Sequence, residues 1–291
     1  MLVRRVMEER RRVLEKHLYR TLKTTCERWE LLRPGERVMV AISGGKDSYT
    51  LLTLLDKLVP RLPFSVELVA VHLDQAQPGY DGAPLEAWLA QRGKAYEILR
   101  EDTYSEVLAR TAPGGTYCTV CSRLRRGILY SAAERLGCSA IALGHHRDDA
   151  LETFLMNLFF AGKMQAMPAS YVTDDGRFRV IRPLIECDEA RIAEYAALEA
   201  FPILPCNLCG SQEGLQREKM SALLAQLEAQ HPDVRSVMMR ALGNVRPTHL
   251  LDPEVLEAWR ARPEHVRPER ATETREARYE ARAVRKLPVV E

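Results

Sequence analysis

Val38-Met39-Val40-Ala41-Ile42-Ser43-Gly44-Gly45-Lys46-Asp47-Ser48 decides how the rest of the chain is read. The first five residues form an unbroken apolar run, the pattern of a buried strand. Two glycines and two serines then make a turn, and Tyr49 to Leu58 has the apolar density of a packed helix. A strand, a glycine-rich turn and a helix start together form an anion cradle. Backbone N–H groups face into the turn, and the helix dipole favours negative charge there. Ser43 and Ser48 add hydroxyl donors, and Lys46 adds a positive charge. Asp47 is out of place beside a phosphate unless a cation lies between them, so it points to Mg²⁺.

The spacing differs from the Walker pattern G-x-x-x-x-G-K-S/T and from the dinucleotide pattern G-x-G-x-x-G. It resembles the pyrophosphatase loop (PP-loop) of the ATP pyrophosphatases, S-G-G-x-D-S, with Ser43, Gly44, Gly45, Asp47 and Ser48 at the fixed positions. That resemblance implies an adenine nucleotide alpha-hydrolase-like fold. It also implies cleavage of ATP between its α- and β-phosphates, with adenylylation of an oxygen on the substrate.

Outward from the loop, strands alternate with helices. Strands are expected at 66–73, 95–100, 139–143 and 179–184, and helices at 84–92, 104–110, 122–136 and 148–161. Residues 111–121 read as a loop. The alternation predicts an α/β fold, a doubly wound parallel sheet covered on both faces, with ligands at the carboxyl ends of the strands. An N-terminal helix precedes it and a C-terminal helical region follows. The expected segments are 1–30, helical; 31–187, the PP-loop ATP pyrophosphatase domain; 188–258, helical, with a second C-x-x-C; and 259–291, a charged mobile tail.

A second strand end carries Gly144-His145-His146-Arg147-Asp148-Asp149. Two adjacent carboxylates at a helix start suit Mg²⁺ capture or orientation of a reacting group. Taken alone, helix capping is the better explanation of them. Beside a pyrophosphatase loop, Asp148 and Asp149 join Asp47 as candidate catalytic residues.

The chain has 291 residues, 46% hydrophobic and 28% charged, with a net charge of +2, an ordinary globular composition. No apolar stretch approaches the ~20 residues of a membrane span, and the N-terminus turns charged at once. The expected compartment is cytoplasmic, with no membrane partner. Arg4, Arg5, Arg10, Arg11, Arg12, Lys16, Arg20, Lys23 and Arg28 make the first helix basic, compatible with a nucleic-acid backbone. Val6, Leu14, Leu18 and Leu22 are expected to pack inward.

Four of the seven cysteines form two C-x-x-C pairs, Cys118/Cys121 and Cys206/Cys209. Such pairs grip a metal or a cluster edge, or perform thiol chemistry. Spacing alone favours zinc over an iron–sulfur cluster, although zinc ribbons usually separate their pairs by only ~15–20 residues. Cys26, Cys138 and Cys187 read as small buried hydrophobes.

The strings S-G-G-K-D-S-Y-T, C-T-V-C-S-R-L-R-R-G-I-L-Y, A-L-G-H-H-R-D-D and F-P-I-L-P-C-N-L-C-G-S-Q resemble the bacterial tRNA 2-thiocytidine synthetase (TtcA) family from about residue 20 to 255. That resemblance overturns the preference for zinc. It implies a [4Fe-4S] cluster on Cys118, Cys121 and Cys209, with one iron open to an exogenous sulfur. It further implies ATP on Ser43, Gly44, Gly45, Lys46, Asp47 and Ser48, with Mg²⁺ near Asp47 and Asp148 or Asp149. The implied reaction replaces the 2-oxo oxygen of cytidine 32 in tRNA with sulfur that comes from a cysteine desulfurase. A homodimer is expected by the same analogy. Arg125, about two helical turns past Cys118, is a candidate to stabilise charge on the adenylate. Lysidine synthetases share the loop but need no paired cysteines, and two-thiouridine enzymes carry extra zinc-finger pairs absent here. A zinc-stabilised RNA-binding protein would leave the Ser43–Ser48 loop unexplained.

Overall fold

The computed structural model describes residues 2–111, 117–204 and 216–262, without side-chain placement for residues 2, 3, 118 and 119. Helix α1 (Leu2–Arg28) comes first. It is followed by β1 (Arg37–Ile42), α2 (Lys46–Leu58), β2 (Glu67–Asp74), α3 (Ala83–Gln91), β3 (Tyr96–Arg100), α4 (Thr103–Arg110) and α5 (Tyr117–Arg135). Next come β4 (Ala140–Ala142), α6 (Arg147–Met156), β5 (Ser170–Val172), β6 (Arg179–Ile181), α7 (Glu189–Glu199), α8 (Gln216–Gln230) and α9 (Val234–Leu242). All of these belong to one compact unit, Met1–Leu242. In the second unit, Gly243–Glu291, the described residues form a 3-10 turn, Pro247–His249, and α10 (Pro253–Arg260). Asp252 caps α10 by accepting the Val255 N–H at 3.0 Å, and Pro253 opens the helix. The expected mobile tail lies outside the described residues beyond 262.

The six strands form one sheet in the order β3-β2-β1-β4-β6-β5. It is the expected doubly wound α/β sheet, with one correction: β5 runs antiparallel to β6 at the edge, so the sheet is mixed. Only a short hairpin, with Gly176 in the left-handed region at φ 72, joins those two strands. So short a link permits antiparallel pairing alone. Strand β6 also stops at Ile181, because the chain turns away at Arg182-Pro183.

Alternation along β1 shows how both faces are filled. Val38, Val40 and Ile42 join the larger core with the leucines of α1 and α2 and with Ile192 and Tyr195 of α7. Met39 points the other way, into a core with Ala132 and Ala133 of α5 and with Phe178. Tyr49, fully buried, donates its hydroxyl to the Pro202 carbonyl at 2.8 Å and stacks on Phe201 at 5.3 Å.

Two helices differ from expectation. The stripe of α1 buries Leu14, Leu18, Leu22 and Cys26, but Val6 is 60% exposed. Helix α7 ends at Glu199, paired with Arg11 at 2.6 Å, so Val6 lies a turn beyond its reach. Helix α5 begins at Tyr117, inside the expected loop. Tyr117, Val120 and Leu124 pack with buried Cys121 against Val107 and Tyr104 of α4, and that packing outweighs the modest helix propensity of Thr and Val.

Leu18→Ala should lower the unfolding free energy by about 2–5 kcal/mol, because it opens a cavity in the larger core. Val6→Ala should change it by less than about 0.5 kcal/mol. Urea denaturation midpoints of the two variants check both values.

Candidate active site

Strand β1 has β2 on one side and β4 on the other. The connections after β1 and β4 leave in opposite directions, so a crevice opens at their carboxyl ends. The glycine loop forms one wall. Gly44 sits at φ 83, where a side chain is strained, and a Cβ there would lie 3.1 Å from Leu204. Its carbonyl accepts the Leu204 N–H at 2.9 Å. Gly45 is the N-cap of α2 and offers no side-chain cap; the Ser48 N–H turns back to the Gly45 carbonyl at 3.1 Å, which leaves the Lys46 and Asp47 N–H groups at the open end of the helix. Ser48 donates its hydroxyl to the Gly45 carbonyl at 2.8 Å, and Ser43 Oγ lies 3.3 Å from Ser48 Oγ. Both serines therefore brace the turn.

The loop after β4 forms the other wall. A Cβ on Gly144 would stand 3.1 Å from the Asp47 carbonyl carbon and 3.1 Å from the Ser48 nitrogen. The two loops thus meet backbone to backbone. His146 then caps α6 reciprocally with Asp149: the His146 N–H donates to Asp149 Oδ2 at 3.0 Å, and the Asp149 N–H donates to His146 Nδ1 at 3.4 Å.

Between the walls lies a cleft of about 290 Å³, lined by Ser43, Asp47, Ser48, Arg125, His145 and Asp149 among others. Five residues singled out in the sequence, Ser43, Asp47, Ser48, Arg125 and Asp149, thus share one cavity. Lys46 reaches sideways, donating to Glu189 Oε1 at 2.9 Å and to Asp47 Oδ2 at 3.3 Å. Burial works against its charge, but Asp47 and Glu189 outweigh it and hold the ammonium pKa above its ordinary value. Burial pushes the Asp47 carboxyl up, with Lys46 and His146 opposing. Asp47 Oδ1 is buried and accepts no hydrogen bond from the described residues, although Lys46 Nζ lies 3.3 Å away as an ion-pair partner.

Asp148 faces elsewhere. Its Oδ1 accepts Arg235 Nη1 at 2.5 Å, with Arg147 at 3.5 Å, and its Oδ2 accepts the Glu189 N–H at 3.0 Å. Burial disfavours the ionised form, but Arg147, the Glu189 N–H and Arg235 hold its carboxyl below the usual range. His146, Asp148 and Glu189 bring potential ligand atoms within 4.8 Å of one another. Arg235 and Lys46 already neutralise that trio. Asp47 and Asp149 both line the cleft, and Asp47 Oδ1 has an ion pair with Lys46 but no hydrogen bond, so this pair is the better match to a divalent cation.

Four further side chains, Glu189, Arg217, Arg235 and Arg182, escaped the sequence reading. Glu189, Arg217 and Arg235 lie far along the chain, and nothing local marks them. Arg217 donates to Asp149 Oδ1 at 2.8 Å and lies 3.8 Å from Glu152, whose carboxyl is pushed up by burial. Arg182 is buried and donates Nε to His145 Nδ1 at 3.2 Å. Guanidinium only donates, so His145 Nδ1 is the acceptor and the ring's proton sits on Nε2. Burial, reinforced by Arg182, pushes the His145 pKa down to about 4, so the ring is neutral near pH 7.

On α5, Cys121 lies one helical turn before Arg125. Its buried thiol is 3.4 Å from Gln75 Oε1, just past the end of β2. The side chain of Cys118, together with Cys206 and Cys209, lies outside the described residues.

The PP-loop domain family matches residues 14–202, in agreement with the strand–loop–helix geometry, and the fold and site are those of a PP-loop protein. The similarity extends further. A tRNA-cytidine(32) 2-sulfurtransferase of Sorangium cellulosum (strain So ce56) is 51% identical over 239 residues, 82% of this chain and 84% of that protein. One from Cytophaga hutchinsonii is 49% identical over 247 residues, 84% and 86% of the two chains. The chain belongs to the tRNA-cytidine(32) 2-sulfurtransferase family of PP-loop enzymes. The solved U34-tRNA thiolase of Methanococcus maripaludis, determined with its [4Fe-4S] cluster, shares the fold with a TM-score of 0.62, 23% identity and 81% coverage of both chains.

Gly144→Ala should weaken binding of a non-hydrolysable ATP analogue at least ~10-fold, because its methyl group meets backbone on both sides of the Asp47–Ser48 peptide. Gly127→Ala, in open space on α5, should leave binding unchanged and add up to about 1 kcal/mol of stability. Titration calorimetry on the two variants compares them directly.

Proposed function

We propose that this chain is an ATP-dependent tRNA sulfurtransferase that converts cytidine 32 of the anticodon loop to 2-thiocytidine. In this reading the triphosphate of ATP lies against the start of α2, and Gly44, Gly45 and Lys46 belong to its cradle. Mg²⁺ would be held by Asp47 and Asp149 and would neutralise the phosphates. The 2-oxo oxygen of the cytosine attacks the α-phosphorus, the bond to the bridging oxygen breaks, and pyrophosphate leaves. Arg125 faces the negative charge of the adenylylated base. Sulfide then adds at C2 and the C2–O bond breaks, releasing AMP with the former base oxygen. Asp148 acts at one remove, positioning Arg235 and the Glu189 backbone.

A [4Fe-4S] cluster on Cys118, Cys121 and Cys209 would supply bound sulfide beside the activated base. The donor chemistry fits where it is described: Cys121 is a buried thiol one turn from a cleft residue. Segment 31–187 would then supply the nucleotide site and 188–258 the second cysteine pair. Sulfur delivery by a cysteine desulfurase, a homodimer and a cytoplasmic location complete the proposal on family resemblance alone.

One observation carries the reading. Cys206 and Cys209 are bracketed in the sequence by Leu204 and Arg217. Leu204 is bonded to Gly44 of the glycine loop, and Arg217 to Asp149 of the opposite wall. Both flanks of the second cysteine pair are fastened to the cleft that α5 reaches with Arg125.

Anaerobic reconstitution with iron and sulfide, followed by ATP, Mg²⁺, sulfide and unmodified tRNA, tests this. Nucleoside mass spectrometry should show 2-thiocytidine at position 32 with stoichiometric pyrophosphate. Asp47→Asn should lower the rate at least ~100-fold, and Cys121→Ala should lose the visible cluster absorbance. Pyrophosphate release without any thiolated nucleoside, or normal iron binding by Cys121→Ala, would overturn the mechanism.

A further inference from the structure

The end of α6 carries an apolar projection that the reaction chemistry leaves unused. A single π-helical turn, Asn157–Ala161, extends α6, and Gly162 ends it in the left-handed region at φ 61. Residues 158–165, Leu-Phe-Phe-Ala-Gly-Lys-Met-Gln, are all exposed. Phe159 is 54% exposed, Phe160 58% and Met164 69%, values at odds with the cost of hydrating such side chains.

The projection is built. The Asn157 carbonyl accepts the N–H groups of Gly162 and of Lys163, the latter at 2.9 Å. The Asn157 side chain donates to the Gln165 carbonyl at 2.7 Å, closing the base of the projection. A turn of this type is rare and concentrates at functional sites.

We infer that Phe159 and Phe160 form a stacking platform for unpaired bases of the RNA loop that presents its target base to the cleft. The inference rests on the proposed tRNA substrate and assigns it a second contact. Aromatic faces bind splayed bases, and a cation beside them meets the phosphates. Between Thr153 and Thr173 the only charged residue is Lys163, so no carboxylate there repels a polyanion. Reach agrees as well. Ten residues of helix separate cleft-lining Asp149 from Phe159, about 15 Å, comparable with four or five stacked bases at about 3.4 Å each. A second copy of the chain suits the patch less well, because a two-fold contact centred here would bring Lys163 towards its own symmetry mate.

The test uses the full chain and a fluorescently labelled anticodon stem–loop, with anisotropy as the readout. Phe159→Ala/Phe160→Ala should weaken binding roughly 5- to 150-fold per lost stack. The salt dependence should stay unchanged, because no phosphate contact is removed. Phe159→Tyr/Phe160→Trp should restore affinity, and its indole fluorescence should be quenched by the RNA. Phe159→Leu/Phe160→Leu should fail to restore it. Binding of an ATP analogue should be equal in all four proteins, showing that the fold is intact. Wild-type RNA affinity in the double alanine variant, or full rescue by leucine, overturns the platform. So does sedimentation showing that the double alanine variant only dissociates a dimer. If the wild type itself neither binds nor thiolates the RNA, the proposed function fails first, and the two failures are distinct.

Discussion

At Gly144 the loop after β4 rests against the Asp47–Ser48 peptide so closely that a Cβ there would stand 3.1 Å from backbone atoms. The two walls of the cleft are held together at that contact. The β1–β4 ladder sets the spacing of the two strands, and this contact sets how closely the loops that leave them approach. It sets Asp149, five residues on in the same loop and helix start, across the cavity from Asp47. The Asp47 carboxylate is partly buried in the same cleft, and its Oδ1 finds no hydrogen bond among the described residues.

Around this contact the acids divide into two kinds. Asp148, nearly fully buried, meets Arg235 and Arg147 and a backbone N–H, so its charge is consumed in holding α9 and the start of α7 to the strand ends. Removing Arg235 would leave that carboxylate buried without its main partner, a costly state. Asp47 and Asp149 line the cavity and, among the described residues, are compensated from the side by Lys46, His146 and Arg217. Such partial compensation suits a site that must accept a polyanion together with a cation. A fully neutralised pair would have nothing left to offer a metal. Arg217 and Leu204 tie the C-terminal helices to this same charge system, so the helical region after the sheet is part of the cleft's architecture.

What was legible in the sequence was local. The apolar run before Ser43 and the packed helix after Ser48 could have only one arrangement around a glycine turn, and Gly144–Asp149 carried a similar strand-to-helix signature. Positions marked by periodicity were read correctly where a neighbour exists to cover them, as at Leu14, Leu18 and Leu22. Val6 has the same spacing and stays in solvent, because α7 ends before reaching it. The edge strand β5 and the early start of α5 were missed for a related reason. Three residues are too few to show a period, and the start of α5 is set by packing against α4.

The sequence by itself determined the class of chemistry, because phosphate cradles and helix starts are made by residues adjacent in the chain and leave adjacent signatures. It also determined that two cysteine pairs exist. Only the tertiary structure decided which of two neighbouring aspartates opens to the cleft and which is consumed by arginines, since Arg217 and Arg235 arrive from helices far along the chain. Charge acts through space. Two carboxylates one residue apart lie about 100° apart around a helix, so the fold sends them to different partners.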